Sequence, residues 1–458
     1  MPDPVTARSI AAKVLTESRK LKKFAGEIIE FYPQLTEKSR ATDLVFGVIR
    51  NRGTIDLVIE KVSGRPIVHI SAKLLNIIRV GLYELIYCPQ SADHAIVHQA
   101  VEYAKQIAGT KGAGFVNAVL RKTQGHIVNR ERKIEKADTR KAIPQTQQTG
   151  CEFNIEILPD RNSSPAAYLS IAFSLPDWLV ESWLAEYGRE QTTGICFASN
   201  RRPSVYLRPN LLKTTAENLS AKLRAGGIVC QIAPESQMIK LTHPGAISEL
   251  PGFNEGLFVV QDLSASAPVG LLNPRQDCLI LDLCAAPGTK TTQLAEATAG
   301  QAKIIATDID AERLNMVRDN VARLNLADCV TVIDYHAVDG VFKQSGGFDC
   351  VLVDAPCSNT GVLARRPEVR HRISRQAVGE IAKVQQDLLS QAAGMLRRGG
   401  VLCYSTCSLQ PEENRLLIKR FLENNPGFNL KMDSLILPSA GEFDHDGGYA
   451  AVLAGENG

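Results

Sequence analysis

Two cysteines occupy matching positions after two buried strands of the sequence. The run CVLVDAPC ends at Cys357, and VLCYSTC ends at Cys407, fifty residues further along the chain. If these strands are neighbours, about 4.8 Å apart, the loops that leave their ends bring both thiols to opposite sides of one small ring. A single cysteine there would usually be a buried filler, but a pair at the ligand edge of a sheet indicates a reactive site.

An acid accompanies the first thiol. Asp354 lies three residues before Cys357, and Pro356 gives the loop between them a stiff shape. A thiolate that adds to carbon 6 of a cytosine turns carbon 5 into a nucleophile that can take a methyl group from a sulfonium. The addition needs an acid or a hydrogen bond at ring nitrogen 3, which Asp354 is placed to supply. Spacing alone leaves open which thiol attacks, and whether the other one, or a water that it orients, assists release.

The run LDLCAAPGTK joins a buried strand directly to a helix through small residues. Ala285, Ala286 and Gly288 let the backbone approach a ligand closely. The helix that starts near Thr289 would point free amide groups at that ligand. The turn lacks the GxGxxG pattern and could be a mere tight connection. Asp308 ends the next strand, twenty residues after Gly288, where an acid can bind both hydroxyls of a ribose, so a ribose-containing cofactor is predicted.

Strands and helices alternate from about residue 271 to 458, which predicts a doubly wound parallel sheet. The strands are CLILDLC, KIIATD, VTVID, CVLVD and VLCYS, and a long helix is expected around residues 376–396. Ligands bind at the carboxyl ends of the strands in such a sheet. Asp334 ends the third strand and is placed to hold an adenine, although an acid there is as often a helix cap or a turn residue.

The rest of the chain predicts three further parts. Residues 1–125 have helical periodicity, and the very apolar LLNIIRVGLYELIY belongs in the centre of a helical bundle. Residues 126–165 are polar and charged with almost no periodic apolar face, so we expect a linker. Residues 166–270 predict a small α+β module that opens with a short helix, on which Trp178 and Trp183 are core anchors.

Charge is distributed unevenly along the chain. The formal net charge is +3, but residues 1–142 carry 24 Lys and Arg against 14 Asp and Glu. This excess suggests a polyanionic partner, although a solvated helical surface would have the same composition. The eleven cysteines show no metal-binding spacing, and in a long chain without a signal sequence or a membrane-length apolar run they indicate reduced thiols. We therefore expect a cytoplasmic protein without metal or membrane partners.

A basic segment follows Cys357. RRPEVRHRISR holds five arginines, Arg365, Arg366, Arg370, Arg372 and Arg375, against one acid, Glu368. Guanidinium groups beside a base pocket can bind phosphates and position a strand, although a solvated loop would need no such role.

Several of these motifs resemble those of known enzymes. DAPCSNTGV and YSTCS are similar to the Pro-Cys and Thr-Cys motifs of the RNA 5-methylcytosine methyltransferases, and LDLCAAPGTK is similar to their cofactor motif. FVNAVLRK and IRVGLYELIY resemble the NusB-like RNA-binding domain. The combination resembles the RsmB/Sun/Fmu type of bacterial 16S rRNA cytosine-5 methyltransferase over nearly the whole chain, except the expected linker.

The resemblance implies roles for individual residues. Cys407 is the nucleophile, Cys357 assists product release, and Asp354 lies against the base. S-adenosyl-L-methionine lies across Cys284, Ala285, Ala286, Pro287, Gly288, Thr289 and Lys290, with Asp308 on the ribose, Asp334 near the adenine and Asp354 close by. The family usually has a second Gly where Thr289 stands and a smaller residue where Asn359 stands. The implied partner is 16S ribosomal RNA bound by a monomer, and its cytosine is single-stranded or flipped, because a stacked base hides carbon 6.

Three other functions fit parts of this pattern. A DNA cytosine methyltransferase also uses a Pro-Cys cysteine but has no use for a Thr-Cys thiol such as Cys407. A non-catalytic RNA-binding factor in ribosome assembly would have lost the thiols or the cofactor turn, and both are intact here. A cytosine-5 methyltransferase acting on another RNA would share every motif above.

Overall fold

The chain folds into two compact units. The computed structural model describes residues 6–21, 23–32, 37–242 and 245–455, with Arg19 described by its backbone alone. The first five residues of the predicted helical domain and the last three of the predicted catalytic domain lie outside these ranges. The first unit contains residues up to Asn200 together with Arg370–Arg372, and the second contains Arg201–Val369 and the residues from Ile373 onward.

The first unit is mainly helical, as predicted. Its helices are α1 (Ala7–Leu21), α2 (Ala25–Glu30), α3 (Lys38–Arg50), α4 (Arg52–Ser63), α5 (Ala72–Tyr87), α6 (Asp93–His126), α7 (Pro165–Phe173) and α8 (Asp177–Asn200). Helix α5 is buried over most of Leu75–Ile86 and contacts α1, α3, α4 and α6, so it is the central helix that its apolar sequence predicts. It crosses α3 closely, because a Cβ atom at Gly47 would overlap the Tyr83 ring.

The segment predicted as a linker is folded. It forms β1 (Ile127–Lys133), β2 (Ala142–Pro144) and β3 (Thr149–Phe153), which pair antiparallel in the order β1-β3-β2. The sheet buries Ile143, Cys151 and Phe153. The sequence prediction was wrong here because one face of these strands is largely polar and the apolar residues of the other face are few and widely spaced.

A small antiparallel sheet opens the second unit. Its strands are β4 (Val205–Pro209), β5 (Val229–Ile232), β6 (Ile239–Thr242) and β7 (Phe258–Val260), in the order β5-β6-β4-β7. Helix α9 (Ala216–Ala225) connects β4 to β5. The α+β module predicted for residues 166–270 is therefore present, but α7 and α8 at its start belong to the first unit. Trp183 is a buried core residue of that unit, while Trp178 is half-buried.

The larger sheet of the second unit carries the predicted alternation. Its elements are α10 (Ala267–Leu272), β8 (Leu279–Asp282), α11 (Thr289–Ala297), β9 (Lys303–Ala306), α12 (Ala311–Leu324), β10 (Val330–Val332), α13 (Val338–Ser345), β11 (Phe348–Asp354), α14 (Arg375–Gly394), β12 (Leu396–Thr406), α15 (Arg415–Asn424), β13 (Phe428–Ile436) and β14 (Gly448–Gly455). Strand order is β10-β9-β8-β11-β12-β14-β13. The first five are parallel, but β14 runs antiparallel to both neighbours, so the sheet is mixed rather than wholly parallel.

Both faces of this sheet are covered. Along β11, Cys350 and Leu352 pack into one hydrophobic core and Val351 and Val353 into the other. Alternate residues of a strand point to opposite faces, so a strand buried on both sides must be apolar throughout. From β8 to β10 successive strands are added toward one edge of the sheet, and from β11 onward they are added on the other side of β8. A ligand crevice is expected at that switch point between β8 and β11.

Candidate active site

The two cysteine-bearing loops leave neighbouring strands. β11 and β12 pair in parallel, with Asp354 opposite Ser405, so the segments that follow them emerge side by side. The sulfur atoms of Cys357 and Cys407 are 3.0 Å apart, and both residues are half-buried. The expectation that these strands are neighbours and bring the thiols together is confirmed.

Asn359 connects the two cysteines. Its side-chain amide donates to the Cys357 carbonyl at 2.7 Å, and its amide oxygen accepts from the Cys407 thiol at 3.4 Å. The residue adopts a positive φ of 59°, which asparagine tolerates better than most residues. The Asn359 side chain therefore braces the Cys357 loop and adds one contact between that loop and the Cys407 loop.

The Cys357 thiol is held in its protonated form. Its pKa is raised well above the usual value, first by the hydrogen bond with the Cys407 sulfur, then by burial and by the nearby charges of Cys407 and Glu413. A thiol that remains protonated can donate its S–H to the neighbouring sulfur. The arrangement allows Cys357 to act as a proton donor to the sulfur of Cys407, 3.0 Å away.

Asp354 is fixed by two donors at the end of β11. The Ser405 hydroxyl donates to one carboxylate oxygen at 2.9 Å, and the Lys290 ammonium lies 2.6 Å from the other. Burial opposes the charge on Lys290, but the adjacent Asp354 carboxylate outweighs it, and the pKa of Lys290 is raised. Lys290 is the last residue of the predicted cofactor turn, so this ion pair joins that turn to the cysteine site.

The cofactor turn is shaped by Gly288. Its φ is +100°, and a Cβ there would lie 3.3 Å from the backbone of Val317, so glycine serves both the turn and the packing. Gly288 is the N-cap of α11, and Thr289 is the first helical residue. The Thr289 carbonyl accepts from the buried Arg208 guanidinium at 2.9 Å, which fastens the start of α11 to β4.

Asp308 lies against the same turn. One carboxylate oxygen accepts from the Ala286 amide at 3.1 Å, and the other accepts from the Asp310 amide at 3.0 Å. Each oxygen keeps lone-pair capacity for a further donor such as a ribose hydroxyl. Arg313, which the sequence reading missed, donates to the Ala286 carbonyl at 2.8 Å. Ile309, also missed, is 79% exposed and lines the crevice beside Asp308, and a bulky apolar residue after a strand-end acid was the available signal.

Asp334 lies outside the crevice that the other strand-end acids, Asp308 and Asp354, line. It is exposed, and its carboxylate accepts from the His336 amide at 2.9 Å, which makes it the cap of a short 3-10 turn. Its neighbour Tyr335 lines the crevice instead.

A crevice of about 480 Å³ at the switch point brings most of the predicted residues together. The predicted residues that line it are Cys284, Ala286, Pro287, Lys290, Asp308, Asp354, Cys357 and Cys407. Ala285, Gly288, Thr289 and Asp334 do not line it. The cavity extends from the cofactor turn to the thiols. A ligand bound at the turn can therefore contact a second ligand bound at the thiols.

Asp282, at the end of β8, is a second acid that the sequence reading missed. It is fully buried and accepts from the Thr291 hydroxyl at 2.7 Å. Burial raises its pKa to about 7. Its position in LDLC is the only signal in the sequence, and that position does not distinguish a buried structural acid from an acid that binds a ligand at the strand end.

The predicted phosphate-binding arginines separate into engaged and exposed residues. Arg365 pairs with Asp446 at 2.5 Å and Asp262 at 2.7 Å, so its guanidinium is occupied within the second unit. Arg370, in the first unit, is buried and donates to the carbonyls of Arg50, Phe173 and Ser199 and to the Asn200 side chain. Both therefore have structural roles that the sequence could not distinguish.

The remaining three arginines are exposed. Arg366 lies at the crevice, Arg375 begins α14, and the Arg372 guanidinium lies over the Phe24 ring, 4.5 Å from its centroid.

A buried ion-pair cluster forms one wall of the crevice. Arg201, at the start of the small sheet, binds Asp444 at 2.8 Å and Asp446 at 2.7 Å, and Arg365 joins Asp446 to Asp262. Asp262 and Asp446 line the crevice. The small sheet and the segment before β14 are thereby joined beside the thiols.

Neither metal nor membrane features occur among the described residues. No group of three His, Cys, Asp or Glu side chains there could hold a metal ion. No helix in the described ranges is long and apolar enough to cross a bilayer.

Known proteins share every part of this architecture. The family described as 16S rRNA methyltransferase RsmB/F matches residues 269–444, the NusB family matches residues 5–124, and the RsmF/B-like ferredoxin-like domain matches residues 175–248. Ribosomal RNA small subunit methyltransferase B of Yersinia pseudotuberculosis is 33% identical over 430 residues, which cover 93% of this chain and 92% of that protein.

Solved structures show the same fold. The crystal structure of PH0851 is 22% identical, has a TM-score of 0.70, and covers 98% of this chain and 99% of its own. A methyltransferase homolog protein from Pyrococcus horikoshii is 25% identical with a TM-score of 0.53, over 64% of this chain and 99% of its own.

The fold and the crevice define a methyltransferase with a Rossmann-like catalytic domain that uses S-adenosylmethionine. The chain belongs to the RsmB/F family of 16S rRNA methyltransferases, with a NusB domain and a ferredoxin-like module ahead of the catalytic domain.

Proposed function

We propose that the protein methylates carbon 5 of a cytosine in 16S ribosomal RNA through a covalent adduct with Cys407. The observation that carries this proposal is the 3.0 Å contact between Cys407 and a second thiol, Cys357. Methylation of a ring nitrogen or a ribose hydroxyl needs no thiol, whereas methylation of carbon 5 requires a nucleophile that adds and is later expelled.

The crevice fits S-adenosylmethionine at the end formed by residues 284–290. Ala286 and Pro287 line this end with small side chains, the Asp308 oxygens have capacity for ribose hydroxyls, and Ile309 and Tyr335 offer apolar surface for an adenine. When bound, the cofactor supplies an electrophilic methyl group. Asp334 acts through the turn that presents Tyr335, since Tyr335 lines the crevice and Asp334 itself does not.

The reaction needs four events from the chain's own side chains. Cys407 forms a bond to carbon 6 as a thiolate, and the electron pair displaced onto the ring is stabilised at nitrogen 3 by the Lys290–Asp354 pair, which holds a proton. After carbon 5 is methylated, a water that Cys357 orients takes the proton from carbon 5, the electron pair of that C–H bond restores the double bond between carbons 5 and 6, and Cys407 leaves carbon 6 as a thiolate. The protonated Cys357 assists this release by donating its S–H to the departing sulfur.

The RNA is held outside the crevice by cations. Arg366, at the rim, binds a phosphate near the target, and the basic first unit supplies further phosphate contacts. Arg372 is a weaker candidate for the same role, because its guanidinium already stacks on Phe24. The chain acts as a monomer on a cytosine that is single-stranded or flipped out of its stack.

Methylation mapping tests this function directly. Ribosomal RNA from a strain that lacks the gene should lose one 5-methylcytosine in bisulfite sequencing, and the purified protein with S-adenosylmethionine should restore it. The Cys407→Ser protein should not restore it. Restoration by that variant, or a methyl group on another atom, would contradict the proposal.

A further inference from the structure

A buried carboxylate lies behind the two cysteines and is used by none of the steps above. Glu413, in the 3-10 turn Pro411–Glu413, is fully buried. Its oxygens accept from the Ser358 amide at 2.8 Å, the Ser358 hydroxyl, the Ser408 hydroxyl at 2.5 Å and the Gln385 side chain at 3.0 Å. Four donors satisfy the carboxylate, which is what a buried charge requires.

These donors come from three separate segments. Ser358 directly follows Cys357, and Ser408 directly follows Cys407. Gln385, on α14, also donates to the Pro356 carbonyl at 2.8 Å, so it holds the Cys357 loop from its other side. One carboxylate therefore ties both cysteine loops to each other and to a long helix.

The turn also fixes the Cys407 loop through its backbone and its next residue. The Tyr404 hydroxyl donates to the Glu413 carbonyl at 2.7 Å. Asn414 accepts from the Thr406 hydroxyl at 2.7 Å and donates to the Ser408 carbonyl at 2.9 Å. Cys407 thus lies in a loop that is fastened on both sides of its sulfur.

We propose that Glu413 is a positioning residue of the methyl-transfer site, whose carboxylate holds the two loops so that the Cys357 and Cys407 thiols meet. The positioning of the two loops does not depend on the proposed function. Only the expected effect on methylation rests on that function. Its negative charge has a second effect: behind the Cys407 hydrogen bond and burial, it contributes to the raised pKa of Cys357. Glu413 therefore also favours the protonated form of the thiol that assists release.

Cross-linking of the thiols tests the geometry without RNA. Diamide takes two protons and two electrons from a pair of thiols, giving a disulfide and the corresponding hydrazine. Glu413→Gln keeps the side chain's size, but its amide group faces the N–H donors of Ser358 or Gln385. We expect the Cys357–Cys407 cross-link, measured by peptide mass mapping, to form about tenfold more slowly in this variant, because the loops no longer hold the sulfurs in contact. Glu412→Gln, an exposed neighbour, is the matched control and should cross-link at the wild-type rate.

Two further readouts separate positioning from general damage. The midpoint of the pH profile for alkylation of Cys357 should move to lower pH in Glu413→Gln, since a negative charge has been removed. Methylation should fall about 100-fold, as expected for misplaced reacting groups, while S-adenosylmethionine binding by calorimetry stays at the wild-type level and reports a folded crevice. If Glu413→Gln does not bind the cofactor, Ser408→Ala, which removes a single donor, carries the same comparison.

The outcomes are distinguishable. Cross-linking, alkylation and methylation in the Glu413 and Ser408 variants that all match the Glu412 control would overturn the positioning role. Slow cross-linking in a protein whose wild type methylates no cytosine would instead support the positioning role and refute the proposed function.

Discussion

Asp354 and Ser405 are register partners on adjacent parallel strands, and the Ser405 hydroxyl donates to the Asp354 carboxylate at 2.9 Å. This pairing fixes where each following loop begins. Cys357 comes three residues after Asp354, and Cys407 comes two residues after Ser405, so the two sulfurs meet just beyond the strand ends. The reactive pair is thus set by backbone register, which a one-residue slip would destroy.

Substitution of the two thiols should fail in different ways. Without Cys407 no adduct can form, so Cys407→Ser should lower methylation by roughly three orders of magnitude or more. Without Cys357 addition and methyl transfer still occur but expulsion stalls, so Cys357→Ser should accumulate a protein–RNA complex that survives denaturing electrophoresis. Cys88→Ser, in the first unit, is the matched control. A trapped complex with Cys407→Ser instead would exchange the two roles.

Loss of the Asp308 carboxylate should weaken cofactor binding. Asp308→Ala removes hydrogen bonds to the ribose, and we expect a loss of about 1 to 3 kcal/mol in calorimetry. Asp319→Ala removes an exposed carboxylate from α12, away from the crevice, and should bind like the wild type. Equal affinity in both variants would remove Asp308 from the site.

Cations on the first unit should contribute RNA affinity without contributing chemistry. Lys111 and Arg121 are exposed on the second half of α6. The double variant Lys111→Ala/Arg121→Ala should bind RNA more weakly and reduce the slope of log affinity against log salt by up to about 2, with cofactor binding unchanged. Lys419→Ala, an exposed lysine of α15, serves as the control. An unchanged slope would place the RNA on another surface.

Asp282 should make stability depend on pH. Burial raises its folded pKa from 3.8 to about 7, so between these values the folded protein retains a proton that the unfolded chain has released. Wild-type stability should therefore fall as pH rises from about 4 to about 7 and level off above that range, by a contribution on the order of 4 kcal/mol. Asp282→Asn lacks this contribution. The stability of the variant relative to the wild type, measured by thermal unfolding, should therefore increase as pH rises over the same range. Asp277→Asn, at an exposed position, should follow the wild type; parallel curves for Asp282→Asn would show that the carboxyl is not held protonated.

The sequence predicts well where the signal is local. The turn from Cys284 to Lys290 is a continuous motif between a strand and a helix, and its form in the structure follows from its small residues. The contact between Cys357 and Cys407 could be predicted only on the condition that their two strands are neighbours. That condition depends on the order of strands in the sheet, which the sequence does not state.

Other features depend on distant partners. Arg365 and Arg366 are adjacent arginines with similar local sequence, yet Asp446, 81 residues away, engages the first and leaves the second exposed. Glu413 likewise obtains its role from Ser358, 55 residues before it. No periodicity or motif carries this information, because the pairing arises only when the loops are brought together.

The ion-pair wall made by Arg201 and Arg365 with three aspartates determines which partner adjusts when the enzyme meets its substrate. Opening that wall would leave at least one buried carboxylate uncompensated, at a cost of about 3 to 5 kcal/mol. This wall of the crevice therefore keeps its shape when RNA binds. The RNA is the partner that changes conformation and loses conformational entropy. Under the proposed function, selectivity then follows from how readily the target cytosine leaves its neighbours: a nucleotide already unstacked in a loop enters at little cost, whereas the same base in a helix must first be unstacked.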